Sequence, residues 1–203
     1  RGWRTGYTRK TFHFLIFGSV SGLHAIWGTP AVCLFGLMTS VVVFSAVVHG
    51  RGHVMYEAIA RENDEPHRTW YIIAPYLATL IGGVLANIWF GPAALAGYLV
   101  VGIADAVAEP IGVRFGRHRY RVWTLSRTVS HRSVEGSAAV FVASALAVTG
   151  AGALSAEIAL GASAIVMVPL IALACAGVES ISPHGWDNAS MQIVPALLVG
   201  AYL

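Results

Sequence analysis

Two acids, Asp105 and Glu109, stand four residues apart at the end of an apolar run, and an arginine-rich stretch follows them directly. At that spacing both fall on one face of a helix. An ionisable group at or near the hydrocarbon of a membrane is costly and turns toward a polar cavity or a partner. Mg2+ is commonly held by one or two carboxylates together with substrate phosphates. The pair therefore reads as a candidate metal site, and a salt-bridged helix end is the plainer alternative. Gly112 and Gly116 follow at the same phase. Residues this small let a phosphate approach closely, or let one helix lie against another.

The segment from Arg114 to Arg132 carries six Arg with His118 and His131. Arginine forks match phosphate oxygens, so Arg117 and Arg132 are candidate nucleotide contacts. A membrane anchor on the inner face, or a site for anionic headgroups, has the same composition. The stretch ends in His131-Arg132-Ser133-Val134-Glu135-Gly136. Glu135 opens the next apolar run, where a helix dipole stabilises a carboxylate whether it caps or catalyses. Farther on, Glu179, His184, Asp187 and Asn188 cluster around Pro183 and Gly185. Carboxylates drawn from different helices would suit a metal–triphosphate complex, and a solvated turn has the same make-up.

Near the start come Arg9, Lys10 and His13. Lys10 and His13 are at i, i+3 and can share a helix face. His13 is a candidate base. Asn87, His24 and Gln192 are isolated polar residues in apolar runs and read as interhelical hydrogen-bond partners. Glu57, Glu62, Asp64 and Glu65 read as a solvated face. Trp27, Trp70, Trp89 and Trp186 fall near expected membrane interfaces.

The elements that position these groups follow from composition. The chain has 203 residues, 56% of them hydrophobic and 11% charged, against about 25% charged in a soluble domain. It reads as an all-α, polytopic membrane bundle forming one catalytic domain over residues 1–203. A span needs roughly 20 apolar residues. About seven are expected: Thr11 to Gly28, Pro30 to Val48, Trp70 to Phe90, Pro92 to Ile111, Val134 to Leu154, Ile158 to Val178 and Ala189 to Leu203. Joints are expected at Gly28-Thr29-Pro30, Gly91-Pro92 and Glu109-Pro110. No cleaved leader is expected, because no charged segment with a small-residue cleavage site precedes the first apolar run. Cys33 and Cys175 lie in apolar runs and read as packing residues.

All thirteen Lys and Arg fall into three segments, at the N-terminus, from Arg51 to Arg68 and from Arg114 to Arg132. With seven spans all three lie on one face, which the positive-inside rule makes cytoplasmic. The C-terminus is then expected on the opposite face of a cell membrane. An extra or missing span before Arg68 would break this one-sidedness.

Taken in order, these pieces resemble the CTP-dependent lipid alcohol kinases, the phytol kinase, dolichol kinase and diacylglycerol kinase type. That family's pattern runs Asp-x-x-Ala-x-x-x-Gly-x-x-x-Gly, then a basic loop, then Lys-Lys/Arg-Thr/Ser-x-Glu-Gly. Here Asp105, Ala108, Gly112 and Gly116 are followed by His131, Arg132, Ser133, Glu135 and Gly136. Arg9-Lys10-Thr-Phe-His13 is similar to the family's Arg-Lys-x-x-His opening. Val178-Glu179-Ser180 with Asp187-Asn188 resembles its Glu-Ser and Asp-Asn ending. His131 replaces a frequent Lys, and the stretch from Gly116 to His131 is longer than usual. The short chain is more like the phytol kinase branch.

The resemblance implies a kinase moving the γ-phosphate of CTP to a membrane lipid alcohol, a prenol such as phytol or geranylgeraniol. It implies Mg2+ as cofactor and no nucleic-acid partner. Asp105, Glu109, Glu179 and Asp187 would hold the metal. Lys10, Gly112, Gly116, Arg117, His131, Arg132 and Ser133 would meet the nucleotide. Asp105, Glu135, Asp187 and His13 would be catalytic. Phosphatidate cytidylyltransferases share a similar Asp–Gly run and a Glu-Gly pair, so a CDP-lipid synthase is the neighbouring alternative. A small transporter or lipid-binding membrane protein is the non-enzymatic one.

Overall fold

The computed structural model describes residues 5–60, 64–122, 130–183 and 185–203, with residues 5–9 and Ser130 described by backbone alone. The described residues are 81% helical. Helix α1 spans Thr5–His49 and turns at Gly28, whose φ of 69° and ψ of −163° are non-helical. Glycine tolerates that φ, and the proline at position 30 disfavours helical backbone at Thr29 just before it. Two arms result. The arm after Gly28 runs antiparallel to α3 (Trp70–Phe90): Thr29 Oγ1 donates to Asn87 at 3.0 Å, and Tyr76 donates to Ser40. The arm before it runs antiparallel to a second helix, with Lys10 on Asp105 and His24 edge-on to Tyr98.

That second helix is compound. After a short α2 (Val54–Ile59) and α3, Gly91 at φ 48° begins a 3-10 turn, Gly91–Ala93, with Pro92 inside it. Then α4 (Ala94–Val100), a π-helical turn (Val101–Asp105) and α5 (Ala106–Phe115) follow without a gap. The joint expected at Glu109-Pro110 is not there. The proline lies inside α5, and the helix runs to Phe115. π turns recur at functional sites, and this one ends on Asp105.

The basic stretch is not plain loop. Strands β1 (Arg119–Val122) and β2 (Ser130–Ser133) pair antiparallel, Tyr120 opposite Arg132 and Arg121 opposite His131. This hairpin is a small departure from an all-helical chain. Helix α6 (Val134–Leu154) starts where expected, because Ser133 caps it by accepting from the Gly136 N–H at 3.1 Å. Helix α7 (Ala164–Ile181) starts later than the run from Ile158, since residues 155–163 turn instead. Helix α8 is Asp187–Tyr202.

Among the described residues four helical stretches are long and apolar enough to cross a membrane: Lys10–His49, Trp70–Phe115, Val134–Leu154 and Ala164–Ile181. The first two, of 40 and 46 residues, are the ones broken at Gly28 and Gly91. By length and composition the helices thus give four long runs where seven separate spans were expected.

The core lies among α4, α6, α7 and α8. A Cβ on Gly82 would fall 2.8 Å from the Ala189 Cα, and one on Gly97 would overlap the Gln192 carbonyl, so α8 is seated directly against α3 and α4. The second arm of α1 is otherwise. Ala46 is its one buried residue from position 30 to 49, and Cys33 is exposed, not a core packing residue as expected. Cys175 is buried in the core. Trp27, Trp89 and Trp70 are exposed, the first two beside the turns at Gly28 and Gly91.

Candidate functional site

Two cation–carboxylate groups line one cavity of about 940 Å3. The first is built on the i, i+3 and i, i+4 spacings. Lys10 and His13 project from one face of α1; Asp105 and Glu109 project from the π turn and α5. Lys10 Nζ lies 2.9 and 2.8 Å from the two Asp105 carboxylate oxygens and donates to the Asp105 carbonyl at 3.0 Å. Glu109 Oε2 is 3.3 Å from the same ammonium. His13 Nε2 lies 3.3 Å from Asp105 Oδ2 and from the Val101 carbonyl oxygen.

The second group joins three elements. Arg132 of β2 sets Nη1 2.9 Å from Glu179 Oε1 on α7, and Nη2 donates to Asp187 Oδ2 on α8 at 2.9 Å. The Nη1 contact is a charge pair without hydrogen-bond alignment, so that buried amino group keeps an unused donor among the described residues. Both groups line the same cavity. Ser137 of α6 donates to Glu179 at 3.5 Å and shares a 2.7 Å hydrogen bond with the Tyr120 hydroxyl.

Sequence reasoning missed Ser137 and Tyr120. Ser137 is one helical turn after the capping Ser133, and that spacing was the available signal. His184 and Glu62, named with the clusters above, lie outside the described residues, as do Arg61 and Arg127.

Other expected site residues sit differently. Glu135 does not line the cavity; its carboxylate takes His118 Nδ1 at 2.8 Å and the His118 N–H at 3.3 Å, and so fastens the entry to the hairpin. Arg117 is exposed and also outside the cavity. His131 is exposed at its rim, with Arg119. Gly112 lines it. The glycine run also serves packing: a Cβ on Gly112 would stand 3.0 Å from Ser133 Oγ, and one on Gly116 2.8 Å from Ser133 Cβ. Ser133 is occupied as a helix cap.

Among the described residues no three His, Cys, Asp or Glu side chains converge on one point. The acids stand in pairs around Lys10 and Arg132. Their donor set is nonetheless all carboxylate oxygen. A Mg2+ that takes one or two carboxylates and completes its shell with phosphate oxygens asks for no more.

The cavity continues away from the charged floor between the two arms of α1 and α3, walled by Ile16, Val20, Val32, Leu80 and Val84. Asn87 and Gln192 bond across helices as expected. Asn87 reaches Thr29, Tyr98 and the Gly83 carbonyl, and Gln192 Nε2 donates to the Thr79 carbonyl at 3.1 Å. Glu57 and Glu65 are exposed, as a solvated face requires, and the face also carries ion pairs. Glu57 and Glu65 bind the buried Arg68 and the exposed Arg51, because a cation at 7% exposure needs carboxylates beside it.

A phytol kinase from Synechocystis sp. (strain ATCC 27184 / PCC 6803 / Kazusa) is 34% identical to this chain over 109 residues. The match takes in 53% of this chain and 44% of that protein. No family model matches the chain, and no solved structure matches it. The likeness supports a related kinase family, in a protein whose apolar helices suit a membrane.

Proposed function

We propose that this protein is a membrane phosphotransferase that moves the γ-phosphate of CTP to the hydroxyl of a lipid alcohol, a prenol such as phytol or geranylgeraniol. One observation carries the reading. A single cavity joins a floor of paired acids and cations to an apolar passage between helices, which suits a substrate with one polar end and a hydrocarbon tail. The partial likeness to a phytol kinase supports the same reaction class.

In this reading the long runs divide at Gly28 and Gly91 and the chain crosses the membrane seven times, with the charged floor on the cytoplasmic side. Cysteines placed at 51–60 and 114–121 would then be labelled from the same side. Labelling from opposite sides breaks the assignment.

Phosphoryl transfer asks a protein chiefly to position reactants and neutralise charge. Arg132, with its unused donor, and Arg119 and His131 at the rim would meet the triphosphate. Asp105 and Asp187, with Glu109 or Glu179, would hold Mg2+, which supplies charge neutralisation on the phosphates. The alcohol oxygen forms the new bond to the γ-phosphorus, the bond from that phosphorus to the β-phosphate oxygen breaks, and CDP leaves. The hydroxyl proton passes to His13, whose ring is steered by Asp105.

Purified protein with γ-labelled CTP and a panel of lipid alcohols tests this. Label is expected in a lipid monophosphate. Transfer from α-labelled CTP would instead mark a cytidylyltransferase, and consumption of no nucleotide with any alcohol would rule out both.

A further inference from the structure

Two polar ties cross from the second arm of α1 to α3. Tyr76 donates to Ser40 close to the charged floor, and Thr29 donates to Asn87 near the Gly28 turn. Eleven residues separate the ties on each helix (Thr29 to Ser40, and Tyr76 to Asn87), roughly 16 Å at the α-helical rise. Asn87 also bonds Tyr98 of α4, so polar groups from three helices close the far end.

Between the ties the cavity wall is made by Val32, Cys33 and Gly36 on one side and by Leu80, Gly83 and Val84 on the other. Counting inward from either tie sets Gly36 level with Leu80. A Cβ on Gly36 would meet nothing within 4 Å. Position 36 therefore borders open space, in a cavity continuous with the carboxylates.

We propose that the hydrocarbon tail of the acceptor lies in this passage, that Gly36 determines which tails it admits, and that the Thr29–Asn87–Tyr98 group is its stop. The inference rests on the lipid alcohol kinase reading for the identity of the occupant. A leucine at position 36 fills the passage partway along without touching the floor. A long tail must pass that level, and a short one need not.

The full chain in nanodiscs is assayed with CTP and either geraniol or geranylgeraniol, and binding of labelled geranylgeraniol is measured without nucleotide. Gly36→Leu is expected to lower kcat/KM for geranylgeraniol about tenfold or more, while geraniol stays within about twofold. Binding of the long prenol should fall in parallel, and the KM for CTP should hold. Leu80→Phe narrows the same level from the opposite wall and should act in the same direction. It decides the matter if Gly36→Leu gives no cooperative melt.

Adding Leu80→Ala to Gly36→Leu should restore the long substrate. An unchanged chain-length profile and unchanged binding in both narrowing variants would overturn the passage while leaving the kinase reading intact. Wild-type protein that binds the long prenol and loses it on narrowing, yet transfers no phosphate, would uphold the passage and end the kinase reading.

Discussion

The two groups on the cavity floor use the same chemistry, one cation between two carboxylates, and differ in what they hold together. Around Lys10 both acids come from a single helical face, and their side chains remain 27% and 40% exposed. Around Arg132 the acids come from α7 and α8 and the cation from β2, with side-chain exposures of 12% for Arg132 and Glu179 and 18% for Asp187. Arginine suits this place because its planar fork reaches two acceptors at once, where a lysine ammonium is a point charge. The first group is built on one helical face, and its acids stay open to water although Lys10 itself is only 10% exposed. The second joins three elements, so any chemistry proposed there would be coupled to stability.

Removing charge without removing shape should give the largest effect. Asp105→Asn is expected to lower turnover about 100- to 1000-fold, or roughly 3–4 kcal/mol for a transition-state charge contact. The melting temperature should fall only modestly, because the buried Lys10 ammonium keeps Glu109 beside it. Asp187→Asn should cost similar turnover, with an added loss of melting temperature from its side of the Arg132 bridge. If both acids serve one metal–triphosphate complex, the double variant should be little worse than either single one, since residues acting as a unit are non-additive. Turnover per folded molecule across a Mg2+ titration reads all three. Near-wild-type turnover in both singles removes these acids from the mechanism.

The contrast sharpens with the cations. Arg132→Gln leaves two largely buried carboxylates facing each other, and breaking a buried pair from one side costs about 3 kcal/mol or more. Lys10→Gln leaves acids that water already reaches, so its cost should be clearly smaller. Denaturant midpoints of the two variants give the comparison directly. Arg132→Lys should recover only part of the loss. Equal destabilisation by Lys10→Gln and Arg132→Gln would erase the distinction drawn here between the two groups.

How much of this was legible depended on sequence distance. Lys10 with His13, and Asp105 with Glu109, are set on shared faces by helical periodicity, so their mutual approach needed only the two helices to meet. The bounds of α3 and α6 were readable because Gly91-Pro92 ends one and the Ser133 cap starts the other. The charge pairing was not readable. Arg132 meets Glu179 and Asp187 across 47 and 55 residues, and nothing local chooses those partners over phosphate or lipid. The hairpin was hidden because Arg119–Val122 is too short and too charged to show strand alternation against a loop. Pro110 signalled a break, yet the helix that follows the π turn carries on through it.

A third cation–carboxylate group lies off the cavity and serves as the control for the other two. Arg68, buried, donates to Glu57 at 2.6 Å and to the Ala60 carbonyl at 3.1 Å, and its guanidinium carbon lies 5.4 Å from the Tyr56 ring centroid. Neither Glu57 nor Arg68 lines the cavity. The Arg68 hydrogen bond, and then the Gly52 N–H, hold the Glu57 carboxyl below its ordinary pKa of 4.5. A depressed carboxyl pKa contributes stability above the unfolded value and loses it as pH falls through the folded one. Residues 50–60 and 64–69 should therefore keep their amide protection at neutral pH and lose some of it only below about pH 4.5. Glu57→Gln should show the loosened pattern already at neutral pH, with its low-pH step gone. Hydrogen exchange of those residues measures this, and the effect should be the smallest of the series because Glu57 is partly solvated. Turnover at neutral pH should stay within about twofold of wild type. A large loss of turnover in Glu57→Gln would mean that this outer group shapes the site as well, and that position on the cavity floor is not what separates the charges proposed for catalysis from the structural ones.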